Sequence, residues 1–190
     1  MSLKNTADRG GGVSQSLHWL IVLLVVGMAA LGLSMTGLPD NAFKVRLYSL
    51  HKSIGLTILG LMLVRIAWRL YAGAPRMIAS LPRWQHRIAT ATHAALYLLL
   101  IALPLSGWVI NSSSGFPLRW FGWLRVPQFG SRDEALYALA KSWHEALFWA
   151  LLVLALVHAF AAFWHHVFRQ DATLSRMLPR RRSKEMSHDP

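Results

Sequence analysis

Apolar positions in this chain gather into four long runs, at roughly 17–35, 53–71, 91–110 and 142–168. Each is near or above the ~20 residues that a helix needs to cross the hydrocarbon of a bilayer. Backbone groups in lipid must be satisfied internally, which leaves helices or closed barrels, and runs this long exclude barrel strands. The pattern predicts an all-α membrane protein, a four-transmembrane-helix bundle forming one domain over residues 1–190, with mobile tails at 1–13 and 180–190. The first run has a longer apolar core than a signal peptide, and no small-residue cleavage site follows it before Pro39. No internal repeat or low-complexity tract is present. The longest connection, about 111–141, is rich in Gly, Pro and Trp and is expected to fold over one mouth of the bundle.

Composition agrees with the pattern. Hydrophobic residues make up 54% of the 190 and charged residues 15%, against roughly a quarter charged in soluble domains. Cysteine is absent, which excludes disulfides, iron–sulfur clusters, thiolate zinc sites and covalent haem attachment through C-x-x-C-H. The formal net charge of +12 would ordinarily suggest nucleic acid. Here the basic residues flank the apolar runs, so they read as orientation signals, and no nucleic-acid partner is expected. Twelve Lys and Arg lie on the side holding both termini and the second connection, among them Arg9, Arg76, Arg87, Arg169 and Arg180 to Arg182; seven lie on the other. Both termini are therefore expected in the cytoplasm.

Histidines change the picture most. His144 and His158 are fourteen residues apart on one apolar run. On a helix that places them on one face, ~21 Å apart along the axis. The topology puts His51 and His144 near the outer surface, and His18 and His158 toward the inner one. Two pairs result, each drawn from two different helices. Ionisable or polar groups inside a span are costly and tend to be functional.

A compact metal site takes three or four ligands within a few Å. Each pair offers two, which is what an axially ligated iron porphyrin leaves open. Without cysteine the haem is non-covalent, hence b-type. Gly55 lies one turn after His51, where a missing side chain suits either a ring lying on the helix or close helix packing. Arg65 is fourteen residues after His51 and shares its face at the inner depth. Glu145, at the outer end of the fourth run, is the one acidic residue in the four apolar stretches and is far from Arg65 in depth, so haem propionates are the natural partners of Arg65, snorkelling to the surface being the alternative. His165, seven residues after His158, serves as well by depth alone as a partner for His18. His93, near the start of the third run, is a core or quinone-pocket candidate. His86 and His188 read as surface residues. Trp19, Trp68, Trp120, Trp123, Trp143 and Trp164 read as an aromatic belt.

These residues resemble the bacterial cytochrome b561 family of small di-haem inner-membrane proteins. The matching stretches include Leu17-His18-Trp19-Leu20, His51-Lys52-Ser53-Ile54-Gly55, Leu63-Val64-Arg65, Lys141-Ser142-Trp143-His144-Glu145, His158 followed by His165-His166, and the tail Asp171-Ala172-Thr173-Leu174. The resemblance covers almost the whole chain and is most specific at K-S-W-H-E. It implies two stacked b haems, ligated by His18 with His158 and by His51 with His144, and makes His165 a candidate for the quinone site. One class in that family, superoxide oxidase, passes electrons from superoxide to ubiquinone. The resemblance therefore implies an oxidoreductase of the bacterial inner membrane, with membrane lipid, a quinone and a small anionic one-electron donor as partners. Two alternatives stand beside it: a haem-bearing cytochrome b membrane subunit of a larger dehydrogenase or hydrogenase complex, and a haem-free membrane anchor or transporter.

Overall fold

Four helices carry the four apolar runs, and three of them extend well past the run on one or both sides. The computed structural model describes residues 3–6, 9–73 and 82–178. Helix α1 spans Gly12–Thr36, α2 Ala42–Ala72, α3 Arg83–Ser114 and α4 Glu134–Val167. Strands β1 (Arg119–Trp120) and β2 (Leu124–Arg125) form an antiparallel hairpin between α3 and α4. A short 3₁₀ turn, Ser175–Met177, follows α4. Arg76, Arg180, Arg181, Arg182, Lys184, His188 and the tail 180–190 lie outside the described residues.

Local chemistry fixes the helix ends. The Asn41 side chain accepts from the Lys44 amide at 3.0 Å and starts α2. Asp133 does the same for Leu136 at 2.9 Å and starts α4, with Glu134 complementing the positive end of the helix. Gly73 (φ 72°) and Gly115 (φ 77°) follow the last residues of α2 and α3, in a region of backbone space that a side chain disfavours. Serines at the end of α3 turn their hydroxyls onto their own helix, Ser113 to Val109 O and Ser114 to Asn111 O. Polar groups near lipid are thereby satisfied internally.

All four helices are long and apolar enough to cross a membrane. Their apolar side chains point outward: Leu23, Val26, Leu63, Val64, Leu98, Leu156 and Phe160 are all more than half exposed. An aqueous surface would not tolerate that much contiguous apolar area; a bilayer supplies its solvent. Packed helix neighbours are α1 with α2, α2 with α3, and α3 with α4. Between them lies a small core of Ile21, Ile58 and Met62, with Leu24, Met28, Tyr97 and Ile101 around it. That core sits midway along the bundle and separates two levels of polar side chains.

The described residues around the start of α1 and after α4 meet at one end of the bundle. Asn5 Oδ1 accepts from Gly11 N and Ser14 Oγ. The Arg9 guanidinium donates to Leu178 O, Gln15 Nε2 to Arg176 O, and Trp19 Nε1 to Met177 O. Residues after α4 thus return across the start of α1.

Candidate functional site

Two polar clusters occupy the two levels. Toward the end where α2 and α4 begin, the imidazoles of His51 and His144 face each other with ring centres 6.3 Å apart and planes inclined at 63°. They come from α2 and α4, which are not among the main packed pairs of helices, so the rings meet across the interior. His144 Nδ1 is 2.9 Å from Ser106 Oγ, whose own hydroxyl donates to Leu103 O at 2.7 Å. With that O–H committed, Ser106 accepts from Nδ1–H, and Nε2 of His144 keeps its lone pair for another use. His51 Nδ1 is buried and has no hydrogen-bond partner among the described residues.

Each ring is backed by a glycine on a neighbouring helix. A Cβ added at Gly32 would lie 3.4 Å from Cε1 of His51, and one at Gly107 would lie 3.4 Å from Cε1 of His144. Gly32, Gly107 and Ser106 were not anticipated from the sequence. Glycine inside an apolar helix is the signal that points to them, since it marks close approach of a neighbour. Gly55, which was anticipated, has only Met28 Cε near its missing side chain, at 3.8 Å.

The second level is more crowded. His93 on α3 and His158 on α4 have ring centres 5.3 Å apart, inclined at 70°. His18 on α1 lies within electrostatic range of Arg65, His158 and His93. Arg65 Nε donates to the Tyr97 hydroxyl at 2.9 Å, and the guanidiniums of Arg65 and Arg69 lie 5.7 and 5.9 Å from the Tyr97 ring centre. One terminal nitrogen of Arg65, Nη1, is buried without a partner. Among the described residues the ion pairs are Lys44–Asp40, Arg132–Glu134 and His165–Asp171, so none reaches Arg65. His93 therefore belongs with the residues expected at this level, and its ring, not that of His18, touches His158.

His165 sits beyond this cluster, at the end of α4. Its Nδ1 is 2.5 Å from Asp171 Oδ2, and Asp171 Oδ1 accepts from both the amide and the hydroxyl of Thr173. Burial works to raise the Asp171 pKa, but the hydrogen bonds from His165 and Thr173 outweigh it and hold the carboxyl below its ordinary range. Beside this pair is an open hollow of about 450 Å³ lined by His166, Gln170, Asp171, Ala172 and Ser175.

The donor set limits the chemistry. Among the described residues no group of three or more His, Cys, Asp or Glu converges as a compact metal site would require. Two imidazoles on opposite sides of one metal, each bonded at ~2 Å with ~1.1 Å from nitrogen to ring centre, would have their centres ~6.2 Å apart. The His51–His144 spacing of 6.3 Å suits that arrangement, with room on both sides secured by glycine. At the other level the unpartnered Arg65 nitrogen is a donor awaiting an anion, and a haem carries carboxylates. The His51–His144 spacing fits a haem held between two imidazoles, and at the other level the Arg65 donor fits a haem carboxylate.

Comparisons with known proteins agree with the donor chemistry. The profile described as prokaryotic cytochrome b561 matches residues 11–180. The chain is 38% identical over 179 residues to cytochrome b561 homolog 2 of Escherichia coli (strain K12), covering 94% of this chain and 95% of that one. It is 31% identical over 169 residues to cytochrome b561 homolog 1 of the same strain, covering 87% and 94%. It is 31% identical over 166 residues to a Yersinia pestis protein named probable superoxide oxidase CybB, covering 87% and 93%.

Proposed function

This chain belongs to the prokaryotic cytochrome b561 family, and from that premise we propose that it moves electrons from a small anionic one-electron donor, superoxide, to a membrane quinone. The family carries out haem b electron transfer in the bacterial inner membrane. The finer reading assigns two haems per chain, His51 with His144 and His18 with His158 as axial ligands, and both termini to the cytoplasm. The observation that carries it is the facing of His51 and His144 at 6.3 Å, one from α2 and one from α4. A histidine pair serving only the core would be hydrogen-bonded to its neighbours, whereas His51 Nδ1 is left bare.

The reaction balances as two superoxide plus quinone plus two protons giving two dioxygen plus quinol. Haem bound here would supply one-electron oxidation and reduction at iron. The protein does the rest. Ser106 fixes the tautomer of His144, Gly32 and Gly107 let the imidazoles lie close to neighbouring helices, and Arg65 would neutralise a carboxylate of the bound haem. The family resemblance makes His165 the quinone-end candidate, and its place against Asp171 beside the open hollow supports that role by giving a headgroup a polar wall.

Two measurements test the proposal. A reduced-minus-oxidised spectrum with haem quantification is expected to give a b-type α-band and two haems per purified chain. Superoxide-driven ubiquinone reduction is expected in detergent and is expected to slow as salt is raised, because the donor is an anion meeting a basic surface. Material without haem would remove the reading altogether. Two haems without superoxide-dependent turnover would remove the donor and keep the electron carrier.

A further inference from the structure

The β1–β2 hairpin lies against α2, on a side that the histidines do not use. Ser53 is two residues from His51 and so about 200° around the helix from it, and Thr57 is one turn beyond Ser53. The hairpin bonds to both: Phe121 N donates to Ser53 Oγ at 3.0 Å, and Trp120 Nε1 to Thr57 Oγ1 at 3.1 Å. Ser53 opens the second apolar run, and Thr57 is ~6 Å deeper. The hairpin is therefore fixed to α2 at two depths, by the Phe121 amide at Ser53 and by the Trp120 indole one turn further in.

Its surface is apolar. Trp123 is 93% exposed, Phe116 70% and Leu124 62%. Phe121 holds φ 47°, a left-handed conformation that a bulky side chain rarely takes, and the Ser53 hydroxyl pins it there. Two residues back from the tip, Arg119 and Arg125 are directly paired across the strands. Like charges in that position repel, and neither is in an ion pair among the described residues.

We propose that this hairpin is a lipid anchor: its Phe121–Trp123 tip enters the leaflet at the His51–His144 end of the bundle, while Arg119 and Arg125 bind phospholipid phosphate. The aromatic tip continues the outward apolar face of the helices, and an anion between the arginines removes their repulsion. The ladder and the α2 hydroxyls occupy backbone and indole donors that lipid would leave unsatisfied.

The chain has no cysteine, so Trp123→Cys and Ser131→Cys each provide a single site for a nitroxide label. The haem-loaded full chain is placed in vesicles of phosphatidylethanolamine and phosphatidylglycerol, and label collisions with oxygen and with a water-soluble nickel chelate are measured. At position 123 oxygen is expected to exceed nickel several-fold; at 131 the order is expected to reverse. Nickel access at 123 equal to that at 131 would overturn the anchor. So would spin–spin broadening at 123 that vanishes on dilution with unlabelled chain, because a second copy would then cover the tip. Adding Arg119→Gln and Arg125→Gln is expected to shift label 123 toward water, and an unmoved label would overturn the phosphate contact.

Discussion

The two polar levels of this bundle are built on different principles. At the His51–His144 level two imidazoles stand apart at 6.3 Å, each backed by glycine and one held by a serine. At the other level three histidines, Arg65, Arg69 and Tyr97 crowd together, and rings touch at 5.3 Å. The first is a slot whose shape is set by small residues. The second is a concentration of positive charge with an unsatisfied donor. One site selects by space and the other by charge, so substitutions at the two levels are expected to report different properties.

The largest break comes from removing a ligand in the slot. His144→Ala is expected to reduce the haem content from two per chain to one and to abolish superoxide-dependent quinone reduction, while the spectrum of the remaining haem is unchanged. Quantification after reconstitution checks this. Two haems with unaltered spectra in that variant would show that the facing of His51 and His144 has another purpose.

The crowded level is sharpened by setting two substitutions side by side. His18→Ala is expected to lose the second haem. His93→Ala is expected to keep it, with at most a shifted band, because His93 contacts His158 without being one of the proposed ligands. The reverse result would make His93 the ligand and displace His18. Both variants are read by haem content and low-temperature spectra.

Charge is tested next. Arg65→Gln removes one positive charge from the crowded level while keeping a donor of similar length. One charge at ~10 Å in an effective dielectric of ~20 is worth ~1.7 kcal/mol. The midpoint potential of the haem that His18→Ala removes is therefore expected to fall, by ~70 mV at most, once screening is counted. The haem that His144→Ala removes is expected to hold its potential. Equal shifts in both would erase the contrast between the levels.

How much of this contrast the sequence carried follows from the same physics. Four spans were legible because ~20 apolar residues in a row have few other meanings. His51 and His144 were legible because helical spacing converts residue number into depth. The polar ends of the helices, such as 42–52 and 134–141, were not, since apolar run length says nothing about helix outside lipid. The hairpin was hidden because two-residue strands show no alternation. Nor does its attachment to Ser53 and Thr57 of α2 leave a mark in the sequence. His93 reads as a residue near the start of the third run, but α3 begins at Arg83, so it lies nearly three turns into the helix and among the other histidines. Gly32 and Gly107 carried weak signals because glycine is common in membrane helices. Trp19 and Trp68 fit an aromatic belt, yet each also donates a hydrogen bond, Trp19 to Met177 O in the segment after α4 and Trp68 to Ser14 Oγ at the start of α1.

Those contacts give the smallest expected effect, and one confined to the crowded level's end of the bundle. Asp171 binds both His165 and Thr173 and so holds the returning segment. Asp171→Asn keeps the size of the side chain and loses its charge, which is expected to cost about 1 kcal/mol locally. Amide exchange over 171–178 should then quicken about 5-fold, with haem content and both potentials unchanged. The sign of the pH dependence follows from the lowered carboxyl pKa. In the unfolded chain the group titrates near 3.9, so the segment's protection is complete above that value and is lost as pH falls through the lower folded value. The Asn variant is expected to show no such acid loss. Exchange that is equal in the two proteins at neutral pH would mean that Arg9, Gln15 and Trp19 hold the segment without Asp171.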